Sequence, residues 1–505
     1  MEVQFVTQPL QDIKTDALVI GAAYKTSKDG ESSVLLSTTA TTVDTLLNGL
    51  VSERSAAGEF KGSIGQILTI YPMGKLAAQR IIVVGLGAQA KVDVPSMQWA
   101  SAIVARHLQS TGAQHIVMAL QWETEQFSLS QGVQAQVEGV LLGSYAFRKY
   151  QHNSEKNSKN ITQLHIFVDS AEKADLAYAI HKGQALAQGT NFARDLVNEP
   201  PCVLTPKELA NRASTMARDF GLECEIWEKE KIQELRMGGL LAVSQGSAEP
   251  PYFIILRYRG APESTEKGLA LVGKGITFDT GGISIKPAER MDEMKGDMGG
   301  AAAVLGAMHA IAELKPQTNV TAFVPTCENM PSGTAYRPGD IVRIMNGKTV
   351  EIVNTDAEGR LILADALSYA TQEGFSPIID LATLTGAVVV ALGHTMTGLF
   401  SNDEPLTNEI VAAGRTVGEK FWPMPMDDEY QESIKSDIAD IKQTGGRPAA
   451  SITAAKILEH FVGSAKWAHL DIAGTSYVDS KKPHQEKGAT GVGVRTLTEL
   501  VLSRL

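Results

Sequence analysis

Two segments of this 505-residue chain concentrate the side chains that could do chemistry. Residues 268–300 carry Lys274, Asp279, Lys286 and Asp297 in glycine-rich surroundings, and Asn354-Thr-Asp-Ala-Glu-Gly-Arg-Leu361 carries Asp356, Glu358 and Arg360. Together they place four carboxylates and three cations in or beside apolar sequence. Charges taken out of water need partners. A network of salt bridges is one way to supply them; divalent metal ions are the other. The donors are dominated by oxygen, and neither segment holds a His or Cys ligand pattern. A metal reading therefore points to a carboxylate-bridged two-metal site, not a structural zinc site. A lysine can join such a site only as the neutral amine, so the metals would have to depress its pKa strongly.

The elements that position these residues can be read around them. An apolar run at 268–273 predicts a buried strand that delivers Lys274, and then Asp279, into a glycine-rich loop. Asp297 stands just ahead of a small-residue helix, Gly299 to Ala312, and would face its positive end. Asp356 and Glu358 follow a strand at 349–353 and, being two apart, share one side of an extended link. A helix over about 359–372 comes next. Each acidic residue at a helix start has a plain electrostatic explanation when taken singly. The set of seven charges is what points to a site.

Elsewhere the chain alternates apolar strands with helical stretches, an α/β pattern of two domains, each a sheet sandwiched by helices. In the first part, strands are expected at 17–20, 67–70, 80–84, 115–118 and 164–168, with helical spacing at 95–112. Gly85-Leu-Gly87 lacks the third glycine of a dinucleotide fingerprint and reads as a tight turn after a strand. The polar stretch 148–163 reads as an exposed loop or hairpin. A helix from about Glu172 to Leu196 should end before Asn198-Glu-Pro-Pro201, where the prolines stop it. The expected organisation is an N-terminal domain over 1–170, a linking helix over 171–197 and a C-terminal domain over 198–505. Further strands are expected at 252–258, 320–325, 377–382 and 467–472.

Bulk properties narrow the function. The net charge of −11 argues against a chain-wide surface for nucleic acid or anionic membrane. The N-terminus has no secretory pattern, and no apolar run reaches the roughly 18 residues of a membrane span. The three cysteines, Cys202, Cys224 and Cys327, share no CxxC spacing and fit reduced, buried thiols in a cytoplasmic protein.

Val272-Gly-Lys-Gly-Ile-Thr-Phe-Asp-Thr-Gly-Gly-Ile-Ser-Ile-Lys-Pro287 and Asn354–Leu361 together resemble the leucyl aminopeptidase family, the cytosol aminopeptidases of the bacterial aminopeptidase A type. Asn198-Glu-Pro-Pro, Glu328-Asn-Met-Pro-Ser-Gly, Tyr336-Arg-Pro-Gly-Asp and His469-Leu-Asp-Ile-Ala-Gly-Thr475 extend the likeness over most of 190–495. The resemblance implies a larger C-terminal catalytic domain with a mixed sheet and a metallo-exopeptidase activity on peptides with a free N-terminus, leucine or another apolar residue preferred. It implies two divalent metals, Mn2+ or Zn2+ with Mg2+ or Co2+ also suited, held by Lys274, Asp279, Asp297, Asp356 and Glu358. Asp279 and Glu358 would bridge the two ions. Lys286 would meet the scissile carbonyl oxygen, and Arg360 would hold a bicarbonate base. Met294, Thr383, Leu384 and Gly386 fall where the family binds the substrate's first residue. A cytoplasmic homohexamer is implied as well.

Two competing readings follow from the same residues. Another two-metal hydrolase, a phosphatase or nuclease, would use the same carboxylate chemistry. A DNA-binding architectural role, as in some bacterial relatives, would need a local basic groove against the acidic net charge.

Overall fold

The computed structural model describes residues 1–27, 29–122, 124–152, 160–169 and 173–504. It forms two compact units, Met1–Ala187 with Ser480–Lys487, and Gln188–Asp479 with Gly488–Leu505. The division falls within the helix Lys173–Asn198. Residue 172, where that helix was expected to begin, lies outside the described residues, as do residues 153–159 of the expected loop.

The first unit is built on seven strands: β1 (Glu2–Val6), β2 (Ala17–Thr26), β3 (Ser32–Leu36), β4 (Ile67–Ile70), β5 (Ile81–Ala88), β6 (His115–Ala119) and β7 (Gln163–Phe167). Their order is β1-β7-β6-β2-β5-β4, with β3 on β2. Pairing is parallel except where β3 meets β2 and β4 meets β5. Alternate residues of β5 enter cores on opposite faces, Ile82 and Val84 on one and Ile81 and Val83 on the other. That two-sided burial is why the run reads as continuously apolar. The helix Val94–Thr111 starts on an Asp93–Ser96 capping box and stops at Gly112, whose φ of 76° suits glycine.

Gly85-Leu-Gly87 does not form a turn. β5 continues through it, with a bulge between the pairs Ala22–Gly85 and Tyr24–Ala88. A Cβ on Gly85 would stand 2.0 Å from the Ser63 carbonyl oxygen, so the glycine admits the neighbouring backbone.

The second unit adds β8 (Glu223–Trp227), β9 (Tyr252–Arg259), β10 (Leu269–Gly273), β11 (Gly275–Asp279), β12 (Asn319–Asn329), β13 (Ile341–Arg343), β14 (Thr349–Glu351), β15 (Ile378–Ala382), β16 (Thr397–Ser401), β17 (Phe421–Pro423), β18 (Ile441–Lys442) and β19 (Trp467–Asp471). Nine of them form one mixed sheet in the order β17-β16-β19-β15-β10-β12-β9-β8, with β11 on β12. Its centre, β19-β15-β10-β12, is parallel, while β9 and β16 run antiparallel to their inner neighbours. Strands β13, β14 and β18 make a small separate sheet. Leu269 and Leu271 of β10 face one core and Ala270 and Val272 the other.

Small residues let the helix Gly299–Leu314 lie directly on this sheet. A Cβ on Gly300 would come 2.0 Å from the Leu381 carbonyl oxygen of β15. All three cysteines are free thiols: Cys327 is buried, Cys224 half-buried and Cys202 exposed. Among the described residues no helix is long and apolar enough to cross a membrane.

Candidate active site

The carboxyl ends of the central parallel strands converge on one charged cluster, the usual location of ligands on open α/β sheets. Lys274 sits in the break between β10 and β11, both of which pair with β12. Its N–H donates to the Leu381 carbonyl at 3.0 Å and its carbonyl accepts from Ala301 N at 2.9 Å, so sheet and helix fix its backbone. Its ammonium lies 2.8 Å from both oxygens of Asp297 and 2.8 Å from Glu358 Oε1, and it donates to the Thr383 carbonyl at 3.0 Å. Lys286 forms a second node, 2.8 Å from Asp279 Oδ2 and in contact with Asp356 Oδ1. One carboxylate oxygen from each of Asp279, Asp356 and Glu358 falls within 4.8 Å of the others.

The two nodes differ in wetness. Side-chain exposure is 3% for Lys274 and 2% for Glu358, against 21% for Lys286 and 32% for Asp356. The Lys286–Asp356 edge is thus the mouth and the Lys274–Glu358 end the floor. Arg360 is buried beside them in the helix Gly359–Gln372, its Nη1 donating to the Gln443 carbonyl at 2.8 Å. Thr383, just past β15, donates its hydroxyl to Asp297 Oδ1 at 2.7 Å. Leu384 offers its N–H to Asp471 Oδ1 at 3.1 Å, and Gly386 opens the short helix capped by Thr385. Met294 is half-buried in the 3-10 helix Met291–Met298, which also carries Asp297. Met294 and Gly386 add no side-chain polar contact to the cluster.

This architecture matches known proteins along its whole length. The family model for the cytosol aminopeptidase catalytic domain covers residues 191–498, and that for the N-terminal domain of the same family covers 24–154. The chain belongs to the cytosol aminopeptidase family. A probable cytosol aminopeptidase from Solibacter usitatus is 44% identical over 502 residues, spanning 99% of each chain. One from Alkaliphilus oremlandii is 44% identical over 510 residues, spanning 100% of this chain and 99% of its own. Among solved structures, a tomato leucine aminopeptidase variant superposes with a TM-score of 0.88 at 37% identity, over 100% of this chain and 96% of its own. The bottromycin maturation enzyme BotP, in complex with Mn, gives 0.83 at 32% identity over 97% and 99%. The chain is accordingly a metallo-exopeptidase by family.

The electrostatics are those of carboxylates crowded out of water. Burial raises Asp297 to about 8 against the pull of Lys274, and raises Asp279 to about 6 with Glu358 adding to it. Burial alone would raise Glu358 too, but Lys274 and Lys286 prevail and hold it below its ordinary value. Both lysines are disfavoured as cations by burial, yet the surrounding carboxylates outweigh this and raise them. Without metal, then, Lys274 is a protonated salt-bridge donor. Its use as a ligand requires that proton to leave. Burial lowers Arg360.

Three residues that brace the cluster have no role in the sequence reading. Asn329 and Asp471 lie inside stretches that carry the family likeness, but nothing local says what they touch. Gln443 has no local signal at all. Its side-chain oxygen accepts from Val353 N and Asn354 N, and its nitrogen donates to the Ala357 carbonyl at 3.0 Å, bracing the turn that presents Asp356 and Glu358. Asp471 ends β19 and accepts from Leu384 N and from the Thr385 hydroxyl at 2.6 Å, holding the loop after β15.

Proposed function

We propose that this chain is a two-metal aminopeptidase that removes the N-terminal residue, preferably leucine or another apolar residue, from peptides, as a cytoplasmic homohexamer. The observation that carries this reading is the convergence of Lys274, Asp279, Asp297, Asp356 and Glu358 on one pocket, with three carboxylate oxygens inside 4.8 Å. The donor set fits a cation: among the described residues nothing donates a hydrogen bond to the buried Glu358 Oε2, an unmet need that a metal would fill. Two divalent ions, Mn2+ or Zn2+, held by these five residues would supply Lewis acidity at the scissile carbonyl, acidify an attacking water and take the substrate's α-amine as a ligand.

The chain's own residues do the rest. Lys286, at the mouth, meets the negative charge that develops on the carbonyl oxygen, as donors of an oxyanion site do. The carboxylates around it keep it protonated for that task. Arg360 Nε has no partner among the described residues and the guanidinium presents a planar cation, suited to a small planar anion; bicarbonate, acting as base, is the assignment. Thr383, Leu384 and Gly386 line the seat of the substrate's first residue, in a loop that Asp471 holds through Leu384 and Thr385. Met294 supplies an apolar wall to that seat and favours apolar side chains there.

The test is hydrolysis of leucine-p-nitroanilide with Mn2+ by the parent and by Lys286→Ala. Turnover should fall about 10²–10³-fold in the variant with little change in KM. Unchanged turnover removes the oxyanion role of Lys286. A parent that cleaves p-nitrophenyl phosphate and no aminoacyl substrate replaces the peptidase reading with phosphoryl transfer.

A further inference from the structure

Glu328-Asn-Met-Pro-Ser-Gly333 carries part of the family likeness but no step of the proposed chemistry, yet it supplies a buried side chain that grips both charged segments. Asn329 ends β12 and sits directly across from Asp279 in the parallel pairing with β11. It is fully buried. Its side-chain nitrogen donates to Asp279 Oδ1 at 2.8 Å and to the Thr355 carbonyl at 3.0 Å. The first acceptor belongs to segment 268–300; the second adjoins Asp356 in segment 354–361. An amide NH2 has two hydrogens, and both are committed. Both neighbours can only accept, so the orientation of the amide is dictated by its surroundings.

The rest of the residue is locked as well. Its carbonyl accepts from Thr280 N at 3.0 Å and from the Thr280 hydroxyl at 2.8 Å. The loop closes over the amide so tightly that a Cβ on Gly282 would stand 2.7 Å from Asn329 Oδ1. Asp279 Oδ1 also accepts from Gly281 N at 2.8 Å. That edge of the carboxylate is therefore filled by two N–H donors, and Oδ2 is turned toward Lys286 and the pocket.

We propose that Asn329 is the positioning residue that fixes the rotation of Asp279 and ties it to the turn bearing Asp356 and Glu358, and so sets the affinity of the site for divalent metal. The inference rests on the two-metal reading. Outer partners of metal-binding side chains act in this way, by holding a ligand in its binding orientation before the ion arrives.

The experiment is calorimetric titration of metal-stripped full-length protein with Mn2+, for the parent, Asn329→Ala, Asn329→Leu and Tyr336→Phe. Asn329→Leu keeps a similar volume and loses both donors without adding a charge, and so reports even if the alanine variant folds poorly. Tyr336 donates to the same Thr355 carbonyl at 2.7 Å, so its loss reports on the turn without the carboxylate. Mn2+ affinity should fall about 10–100-fold in the Asn329 variants, with kcat recovering in excess Mn2+, and stay close to the parent value in Tyr336→Phe. Parent-like affinity in both Asn329 variants overturns the inference, as does an equal loss in Tyr336→Phe. A parent that binds no Mn2+ overturns the two-metal reading instead.

Discussion

Gly85 in the first unit and Gly359 in the second meet the same obstacle with different consequences. A Cβ on Gly85 would run into the backbone of residues 62–63, 2.0 Å from a carbonyl oxygen. A Cβ on Gly359 would run into the end of Lys274, 2.6 Å from Cε and 2.8 Å from the ammonium nitrogen. In one place glycine makes room for the chain itself; in the other it makes room for a charged group that the proposed chemistry uses. Glycine beside a buried strand is therefore no sign of a ligand. The charges packed against it are.

Substituting alanine at each position separates the two cases. Gly359→Ala should cost about 10²-fold in turnover, because a displacement of about 1 Å in a reacting group is enough for that. Its melting temperature should fall less than that of Gly85→Ala, since the atoms displaced belong to a side chain and not to backbone, even though the ion pairs of Lys274 with Asp297 and Glu358 are disturbed. A large loss of stability with turnover intact would reverse the contrast. Gly85→Ala should do the opposite. It forces backbone apart, costs about 1–3 kcal/mol and lowers the melting temperature of the first unit while kcat holds. Equal losses of kcat in the two variants would erase the distinction.

A smaller effect sharpens the same contrast among buried carboxylates. Asp365 is as buried as Asp279, but it accepts from Leu240 N at 2.8 Å and Met345 N at 2.9 Å, and among the described residues no cation pairs with it. Burial raises it to about 7 against those backbone donors. Between about pH 4 and 7 the folded chain keeps a proton that the unfolded chain has released. The stability that Asp365 contributes therefore declines as pH rises through that window and is fully present below it. Asp365→Asn should remove this slope, at most about 1.4 kcal/mol per pH unit, in denaturant titrations at several pH values. An unchanged slope would mean that its backbone donors keep Asp365 ionised.

The sequence was legible where structure is local. Apolar runs locate β2, β5 and β6, because strands buried on both faces need no alternation, and the apolar Ile67–Ile70 locates the partly buried edge strand β4. β1 and β3 escaped notice: each is half-exposed and short, and each owes its existence to the neighbour it pairs with. β11 escaped because Gly275 and the adjoining Lys274 look like loop, whereas β12 supplies the pairing. The same division runs through the site. Lys274, Asp279, Lys286, Asp297, Asp356 and Glu358 could be named from two short segments, and the structure brings those segments together. Gln443 lies 86 positions from the Ala357 carbonyl that it holds, and Asp471 lies 87 from Leu384. Contacts over such separations leave no local trace. Gly85-Leu-Gly87 reads as a turn for the same reason: the β2 pairing that carries the strand through it, and the Ser63 carbonyl that excludes a Cβ, lie far off in sequence.

Lys274 stands where one strand stops and the next begins, with its own N–H and carbonyl both engaged by neighbours in the sheet and the helix. Its backbone cannot be bared without parting β10 from β15 and lifting the helix Gly299–Leu314. In solvent deuterium, that amide should be among the slowest of the second unit to exchange. A floor held this way takes its rigidity from the sheet and the helix, where a loop would have to supply its own.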